Sequence, residues 1–496
     1  MKETRSGKSA DRPVVVWFRD DLRIADHPAL HHAAEQGAPI IALYVHDEKT
    51  EGIRAKGAAQ KWFLHHCLSA LAAKLDAIGG RLDILTGASE AVLKRVAGAT
   101  GARAVYWLRR TEAAERELDR KLKTALRAAG IEAGSFNGNL LHEPARLLTQ
   151  SGGPYRVYTP FWRAFCNTGG PRLPLPAPKR LTAGEALKDT VALADLGLLP
   201  ARPDWARGWD ALWPVGEDGA ARMLSRFLDG GLQGYAEGRD LPAKDHVSRL
   251  SPYLRFGAIS PYQVWHAARH ALTAGMAGEG DAGKFLQELG WREFCHHLLF
   301  HHPDLASRNF QEKFDRFAWR DDAAADLECW RRGRTGYPIV DAGMRELWRT
   351  GYMHNRVRMI AASFLIKHLR IDWREGETWF WDTLVDGDPA SNPASWQWVA
   401  GSGADAAPYF RIFNPILQGE KFDPHGAYIR RHLPELAELP DRHLHRPWEA
   451  PKEVLAGAGV ALGQNYPRPI VDHARARARA LAAFKAIGDA TGTADG

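Results

Sequence analysis

The sequence predicts two folds in one chain, an α/β region followed by an all-α region. Three observations predict this. Strand-like runs alternate with helical patterns as far as about Gly134, a Pro- and Gly-rich stretch intervenes, and helical periodicity dominates from about Trp209 onward. The chain has 496 residues, and length alone suggests about two to four domains.

The first region reads in order. "PVVVWFRDDLRI" opens with a β-branched run, the helical "HPALHHAAEQG" follows, and "APIIALYVHD" gives a second strand. "QKWFLHHCLSALAAKLDAIGG" has helical apolar spacing, "RLDILTG" and "ARAVYWL" read as strands, and "EAAERELDRKLKTALRAAG" as a charged amphipathic helix. Strands that alternate with helices imply parallel βαβ units, so residues 13–134 should form a doubly wound sheet ending near Gly134. No GxGxxG or GxxxxGK[ST] follows any of these strands, so none is marked as a dinucleotide or triphosphate site.

Residues 135–207 shift to Pro, Gly and Leu, as in "GGPRLPLPAPKRL", and read as a connector crossing the surface of the first domain. Residues 208–480 carry helical segments such as "SPYQVWHAARHAL", "KFLQELGWREFCHHLLFHH", "VDAGMRELWRTG" and "MHNRVRMIAASFLIKHL". Strand-like alternation is nearly absent there, which predicts a mostly helical second domain.

Composition narrows the function classes. Apolar residues at 45% and charged residues at 25% match a globular chain with a sizeable core. The cysteines Cys67, Cys166, Cys295 and Cys329 are far apart, which argues against a disulfide framework, a zinc site or an iron-sulfur cluster. The start "MKETRSGKSADRP" lacks an apolar leader and no run is long enough to span a bilayer, so a soluble, cytoplasmic protein is expected. A net charge of +7 permits a polyanionic partner, although on charge alone solvated Lys and Arg are the better explanation. The 18 tryptophans exceed what a core of this size usually needs.

Four stretches carry candidate chemistry. In "HNRVRMIAASFLIKHL", helical spacing turns Arg356 and Arg358 to different sides; two surface arginines are the default, and the alternative turns Arg356 toward solvent or phosphate and Arg358 toward the core, where it needs a carboxylate. "DGD" at Asp386 and Asp388 supplies such carboxylates without the spacing of a calcium loop. In "HVSRLS", Ser248 and Ser251 flank a basic residue at a helix start, which suits a diphosphate, although plain N-capping explains one serine. In "QELGWREF", Glu288 and Trp291 share a helix face, an acceptor beside an indole, as a pocket for a flat base requires.

Together these stretches resemble the photolyase and cryptochrome flavoproteins. "VVWFRDDLRIADHPAL" is similar to the family's N-terminal signature. "GYPIVDAGMRELWRTGYMHNRVRM", "DGDPASNPASWQW" and "AAPYFRIFNPILQGEKFDP" are similar to its C-terminal one. The resemblance runs from about residue 13 to 450 and is nearest to bacterial class I-like enzymes acting on cyclobutane pyrimidine dimers. It implies a Rossmann-like antenna domain, a long connector and an all-helical domain that binds FAD.

Carried over residue by residue, it implies that Tyr235, Ser248, Arg249, Leu250, Ser251, Gln287, Trp291, Arg292, Asp386, Gly387, Asp388 and Asn392 line the flavin and that Arg358 pairs with Asp386. Val247 stands where many relatives carry Thr, which removes one phosphate-binding hydroxyl. Glu288, Trp291, Asn355, Met359 and Trp398 would form the lesion pocket, and Arg239, Arg356 and Gln418 would contact DNA nearby. Trp396, Trp373 and Trp319 match the family's photoreduction chain, the third with a one-residue shift against some relatives.

The activity implied is light-driven splitting of a cyclobutane dimer in UV-damaged single- or double-stranded DNA, with an electron lent by excited reduced FAD and then recovered. Glu288 and Asn392 would assist, the first at the dimer and the second at the flavin. The alternatives are a cryptochrome photoreceptor and a (6-4) photolyase, whose pattern has histidines where this chain has Asn355 and Met359; His354 reads as structural. A monomer is expected. An antenna chromophore, 5,10-methenyltetrahydrofolate or 8-hydroxy-5-deazaflavin, is left open. Leu108 and Thr111 replace the usual Asn and Tyr, and Ala114 replaces the usual Asn beside Glu115.

Overall fold

Every side chain of "VVVWF" is buried, which a parallel strand covered on both faces demands. The computed structural model describes residues 12–406 and 410–489. Residues 1–11, and Ala407–Tyr409 of the "AAPYF" signature, lie outside the described residues. Among the described residues one parallel sheet holds β1 (Val14–Phe18), β2 (Ile40–His46), β3 (Leu82–Thr86), β4 (Ala104–Leu108) and β5 (Glu132–Phe136), in the order β3-β2-β1-β4-β5. Val14 stands in register with both Ile40 and Ala104, so β1 is the centre. The crossovers are α1 (Pro28–Glu35), α2 (Ala58–Ala77), α3 (Ser89–Ala99) and α4 (Ala113–Ala128).

The sheet differs from expectation at its edge. β5 has the sequence "EAGSF", with no β-branched residue, and forms by completing the ladder with β4 from Ala104↔Glu132 to Leu108↔Phe136. The sheet therefore ends at Phe136, two residues past Gly134. Strand order reverses at β1, so the crevice beyond its C-terminal end is where a doubly wound sheet places ligands.

The described residues divide into two compact units. Unit 1 comprises the chain up to Tyr155, Thr159–Gln233 and Ser248–Pro303; unit 2 comprises Arg156–Tyr158, Gly234–Val247 and the chain from Asp304. Within unit 1 the Pro-rich connector runs along the sheet. Leu181 N–H donates to Ile78 at 2.7 Å, Val191 N–H donates to Ile84 at 2.9 Å, and Ala183 bridges to Ile40. Unit 1 also includes the helix Glu279–His301.

Unit 2 is helical among the described residues. Its core gathers Trp330, Tyr337, Met353, Phe364, Trp373, Phe380, Trp396 and Tyr428. The helices that carry candidate residues are Pro338–Thr350, Asn355–Ser363, Trp373–Thr383, Ser391–Ala400 and Pro415–Phe422. Among the described residues no helix is long and apolar enough to cross a membrane.

Candidate active site

The helix Glu279–His301 is buried over most of its surface, with one half-buried stripe of Lys284, Gln287, Glu288, Trp291 and Arg292. These positions recur at i, i+3, i+4, i+7 and i+8, so they form one face. Lys284 lies 3.4 Å from Glu288, and Arg292 donates to the carbonyl of Asn139 at 2.9 Å and to Glu293 at 3.2 Å. Glu293 is itself buried against His142 at 2.9 Å, so the guanidinium of Arg292 is anchored from below the stripe.

The "SRLS" loop precedes the short helix Ser251–Arg255. Arg249 adopts φ 51°, a left-handed conformation that an L side chain rarely takes and that a surrounding structure must impose. Ser248 Oγ accepts from Leu250 N–H at 3.4 Å, and Leu250 is buried.

At the C-terminal ends of β1 and β2, unit 1 holds a cavity of about 60 Å³ lined by Arg19, Asp20, Tyr44, His46, Lys56 and Glu115. Its charges are already paired. Glu115 meets Arg19 at 3.1 Å and Arg110 at 3.2 Å, and Asp20 meets Arg110 at 3.0 Å, Lys56 at 3.2 Å and Arg255. Burial pushes the Glu115 carboxyl up, more than Arg110 pulls it down. For Asp20 burial also opposes the charge, but Arg255, Lys56 and Arg110 outweigh it and hold the carboxyl well below the usual range. Thr111 is buried with its hydroxyl 2.9 Å from His296 Nδ1, and Leu108 is buried at the end of β4. A ligand pocket is commonly about 300 Å³ or more, so this cavity does not hold a folate or deazaflavin as it stands.

In unit 2 the two arginines of "HNRVRM" diverge as helical spacing requires. Arg358 binds Asp386 at 2.9 Å and the Met353 carbonyl at 2.7 Å. Burial works against its charge, but Asp386 and the neighbouring Tyr352 outweigh it and raise its pKa. Arg356 instead binds Asp240 at 2.7 Å, lies 4.5 Å above the Phe422 ring and has a guanidinium nitrogen 3.9 Å from Met359 Sδ. Its backbone N–H donates to His354 Nδ1 at 3.2 Å, so His354 caps the helix. Asn355 is the exposed first residue of that helix.

Arg356 and Gln418 line one cavity of about 520 Å³ with Asp240, Arg411, Lys421 and Arg477. Arg239 lies beside it, 3.9 Å from Asp240 and 5.6 Å above the buried ring of Tyr235. Asp240, Arg411, Lys421 and Arg477 were not singled out from the sequence. They are scattered along the chain with no shared spacing, and only folding brings them together.

The "DGDPASNPASWQW" loop is fixed by its own polar groups. Asp388 accepts from Ala390 N–H at 2.9 Å and Ser391 N–H at 2.7 Å, closing the start of the helix Ser391–Ala400. Gly387 N–H donates to the Leu384 carbonyl at 3.2 Å. The amide nitrogen of Asn392 donates to the Glu377 carbonyl at 3.0 Å and carboxylate at 2.9 Å. Two residues apart on this helix, the two indoles separate. Trp396 is buried against Phe380 at 5.0 Å and Trp330 at 6.2 Å, whereas Trp398 is half-buried and donates to the Asp405 carbonyl at 3.1 Å. A Cβ on Gly376 would meet the Trp396 ring at 2.1 Å, so only glycine admits that indole. Between them Gln397 is fully buried and bonds Leu305, Arg308 and Phe310.

Trp373 is fully buried with Nε1 donating to Asn309 at 2.9 Å, and Trp319 is half-buried against Phe317 at 4.6 Å. Burial thus decreases from Trp396 and Trp373 to Trp319.

Two family profiles match the sequence: "DNA photolyase" over residues 14–179 and "FAD binding domain of DNA photolyase" over residues 285–486. The chain is 55% identical to a deoxyribodipyrimidine photo-lyase of Agrobacterium fabrum, covering 96% of this chain and 98% of that one. The chain belongs to the DNA photolyase and cryptochrome family. It is 37% identical to Cryptochrome-1 of Arabidopsis thaliana, over 97% of this chain and 71% of that protein. It also matches the crystal structure of a bacterial class III photolyase from Agrobacterium tumefaciens at TM-score 0.94 and 53% identity, covering 98% of this chain and all of the other. That relative is named class III, where the resemblance pointed to a class I-like enzyme.

The donor set fits the flavin dinucleotide of a photolyase. In unit 1 the Ser248 and Ser251 hydroxyls flank the constrained Arg249, as a diphosphate requires; in unit 2 the half-buried Arg358, held by Asp386, is a cation that suits an anionic ring.

Proposed function

We propose that this protein is a light-dependent DNA repair enzyme, a carbon-carbon lyase that splits cyclobutane pyrimidine dimers. The observation that carries the reading is the cavity of about 520 Å³ around Arg356. It sets Arg356, Arg411, Lys421 and Arg477 against the single carboxylate of Asp240, a surface that suits the phosphates of a nucleic acid. A cationic, sequence-neutral pocket reads backbone charge and lesion shape rather than base order.

Ser248, Arg249 and Ser251 would hold the flavin diphosphate. Tyr235, Leu250, Gln287, Arg292, Gly387 and Asp388 would line the rest of the cofactor. Bound reduced FAD supplies the photoexcited electron that opens the cyclobutane ring and takes it back. Arg358, fixed by Asp386, would hold positive charge beside the ring, and Asn392, fixed by Glu377, would hold a polar amide there. Glu288 would accept hydrogen bonds from the dimer, and Trp291, Met359 and Trp398 would exclude water from it. Asn355, Arg239 and Gln418 would contact the flanking strand. Trp396, Trp373 and Trp319 would relay electrons inward when the cofactor is oxidised.

A (6-4) photolyase needs a histidine acid at the lesion, but Asn355 and Met359 cannot donate a proton and His354 is buried as a helix cap. We assign residues 13–134 to the antenna domain, 135–207 to the connector and 208–480 to the FAD and DNA domain, of a cytoplasmic monomer.

The test is restoration of thymines in an oligonucleotide carrying one thymine dimer, under blue light against dark. Light-dependent repair is expected; none, with reduced FAD bound, would favour a cryptochrome. Glu288→Ala should lower repair per absorbed photon at unchanged FAD content, and parallel loss of FAD would move Glu288 out of the lesion pocket. Trp396→Phe should impair photoreduction yet spare repair by pre-reduced enzyme, whereas Trp398→Ala should weaken dimer binding. The same defect in both variants would sink the division of roles.

A further inference from the structure

The helix Pro415–Phe422 presents one large apolar side chain to solvent. Leu417 is 57% exposed, on the helix whose Gln418, Lys421 and Phe422 line the cavity of about 520 Å³ around Arg356. Leu417 and Lys421 stand at i and i+4, so the leucine shares a helix face with a cation of that cavity. Single apolar residues in water are ordinary on any surface. Of the large apolar residues exposed among those described, however, Leu417 alone stands on a helix that lines this cavity.

Its mount is rigid. The Asn414 side chain accepts from Ile416 N–H at 3.0 Å and from Leu417 N–H at 3.4 Å, and Pro415 opens the first turn with its φ already fixed. Two residues on, and so on nearly the opposite side of the helix, a Cβ on Gly419 would meet His445 Nδ1 at 2.6 Å, which shows how closely that side is seated. Phe422 is buried, with the Arg356 guanidinium 4.5 Å above its ring. Leu417 is thus held outward at the edge of a cationic surface, and its side chain serves neither the core nor the cap.

We propose that Leu417 is a wedge that enters a DNA duplex where the dimer leaves it, and so sets the preference for double-stranded over single-stranded substrate. This role rests on the repair activity proposed above. A dimer turned out of a duplex leaves the opposing bases without stacking partners, at a cost in free energy. An apolar side chain in the gap covers their bared faces and loses its own contact with water. Lys421, one turn along the same face, holds a phosphate beside the gap while the leucine fills it. A single strand has no opposing bases, so there the wedge gains nothing. Covering the exposed part of a leucine corresponds to roughly tenfold in affinity.

The experiment uses FAD-loaded full-length protein and three probes: an oligonucleotide carrying one thymine dimer, the same strand in a duplex, and that duplex without the dimer. Leu417→Ala should weaken binding of the dimer duplex by roughly tenfold and leave the affinities for the single strand and the undamaged duplex unchanged. Leu417→Met keeps an apolar side chain of similar size and should restore the duplex affinity, whereas Leu417→Gln, similar in size but polar, should not. The unchanged single-strand affinity separates a lost wedge from a misfolded protein. An equal loss on all three probes would make Leu417 a general DNA contact, and no loss on the dimer duplex would leave it plain surface; either result overturns the wedge. Wild-type protein that repairs both dimer substrates in light while Leu417→Ala binds them as tightly removes the wedge alone. Wild-type protein that repairs neither removes the repair reading and the wedge with it.

Discussion

The cavity at the strand ends of unit 1 and the cavity around Arg356 in unit 2 are both lined by charge, and they use it in opposite ways. In unit 1 Asp20 has three cationic partners and Glu115 has two, and the space left is about 60 Å³. In unit 2 four cations face about 520 Å³ with one carboxylate among them. A charge network closed on itself holds a fold together, whereas an unbalanced one awaits a counter-charge from outside. The "RDDLRIADH" signature is thus largely architectural. Arg23 is fully buried on the carbonyls of Asp26, Gly138 and Gly257, and Asp21 is buried against His27 at 3.1 Å.

The sharpest way to break this comparison is Asp20→Ala. Removing it leaves Arg110, Lys56 and Arg255 converging without a counter-charge, and breaking a buried ion pair from one side costs about 3–5 kcal/mol. Chemical unfolding should show a loss of that size. A change below about 1 kcal/mol would mean that the cluster is solvated and that unit 1 is no more closed than unit 2.

A second effect follows from pH. Burial opposes the charge of Glu112, but Arg110 and Arg255 outweigh it and hold its carboxyl down to about 2, below the ordinary 4.5. A depressed carboxyl contributes stability that is present above its unfolded value and lost as pH falls through its folded one. Unfolding free energy should therefore decline between about pH 4.5 and 2, by on the order of 3 kcal/mol at most from this group. Glu112→Gln should flatten that limb in a pH series of urea melts. An unchanged limb would place the acid sensitivity elsewhere.

These contrasts also mark what the sequence could reveal. Periodicity located β1 to β4 and the helical second region, and helical geometry alone separated Arg356 from Arg358 and Trp396 from Trp398. β5 was invisible because only Phe136 of its five residues favours a strand, and it pairs because β4 presents an open edge. Glu115 could be matched to a family position, but nothing local reveals that Arg19 and Arg110 consume its charge. Asp240, Arg411 and Lys421 share a cavity without sharing a motif, since long-range packing leaves no periodic trace. Gly376 looks like any helix glycine until the Trp396 ring is seen in its missing Cβ position.

The smallest expected effect tests the open cavity itself. Lys421 is exposed, lines the cavity, and forms no ion pair among the described residues. Lys421→Ala should leave stability within about 0.5 kcal/mol, because only an exposed contact over the Phe422 ring, at 5.1 Å, is lost. DNA affinity should nonetheless fall for any base sequence, and the slope of log affinity against log salt should shrink by about 1, one phosphate contact fewer. Lys94 in unit 1, half-exposed and 3.5 Å from Glu90, is the matched control and should leave that slope untouched when changed to Ala. If the two variants behaved alike toward DNA, the cationic cavity would be no more than solvated surface. If Lys421→Ala instead lowered the melting temperature, its charge would belong to the fold, as the charges at the strand ends of unit 1 do.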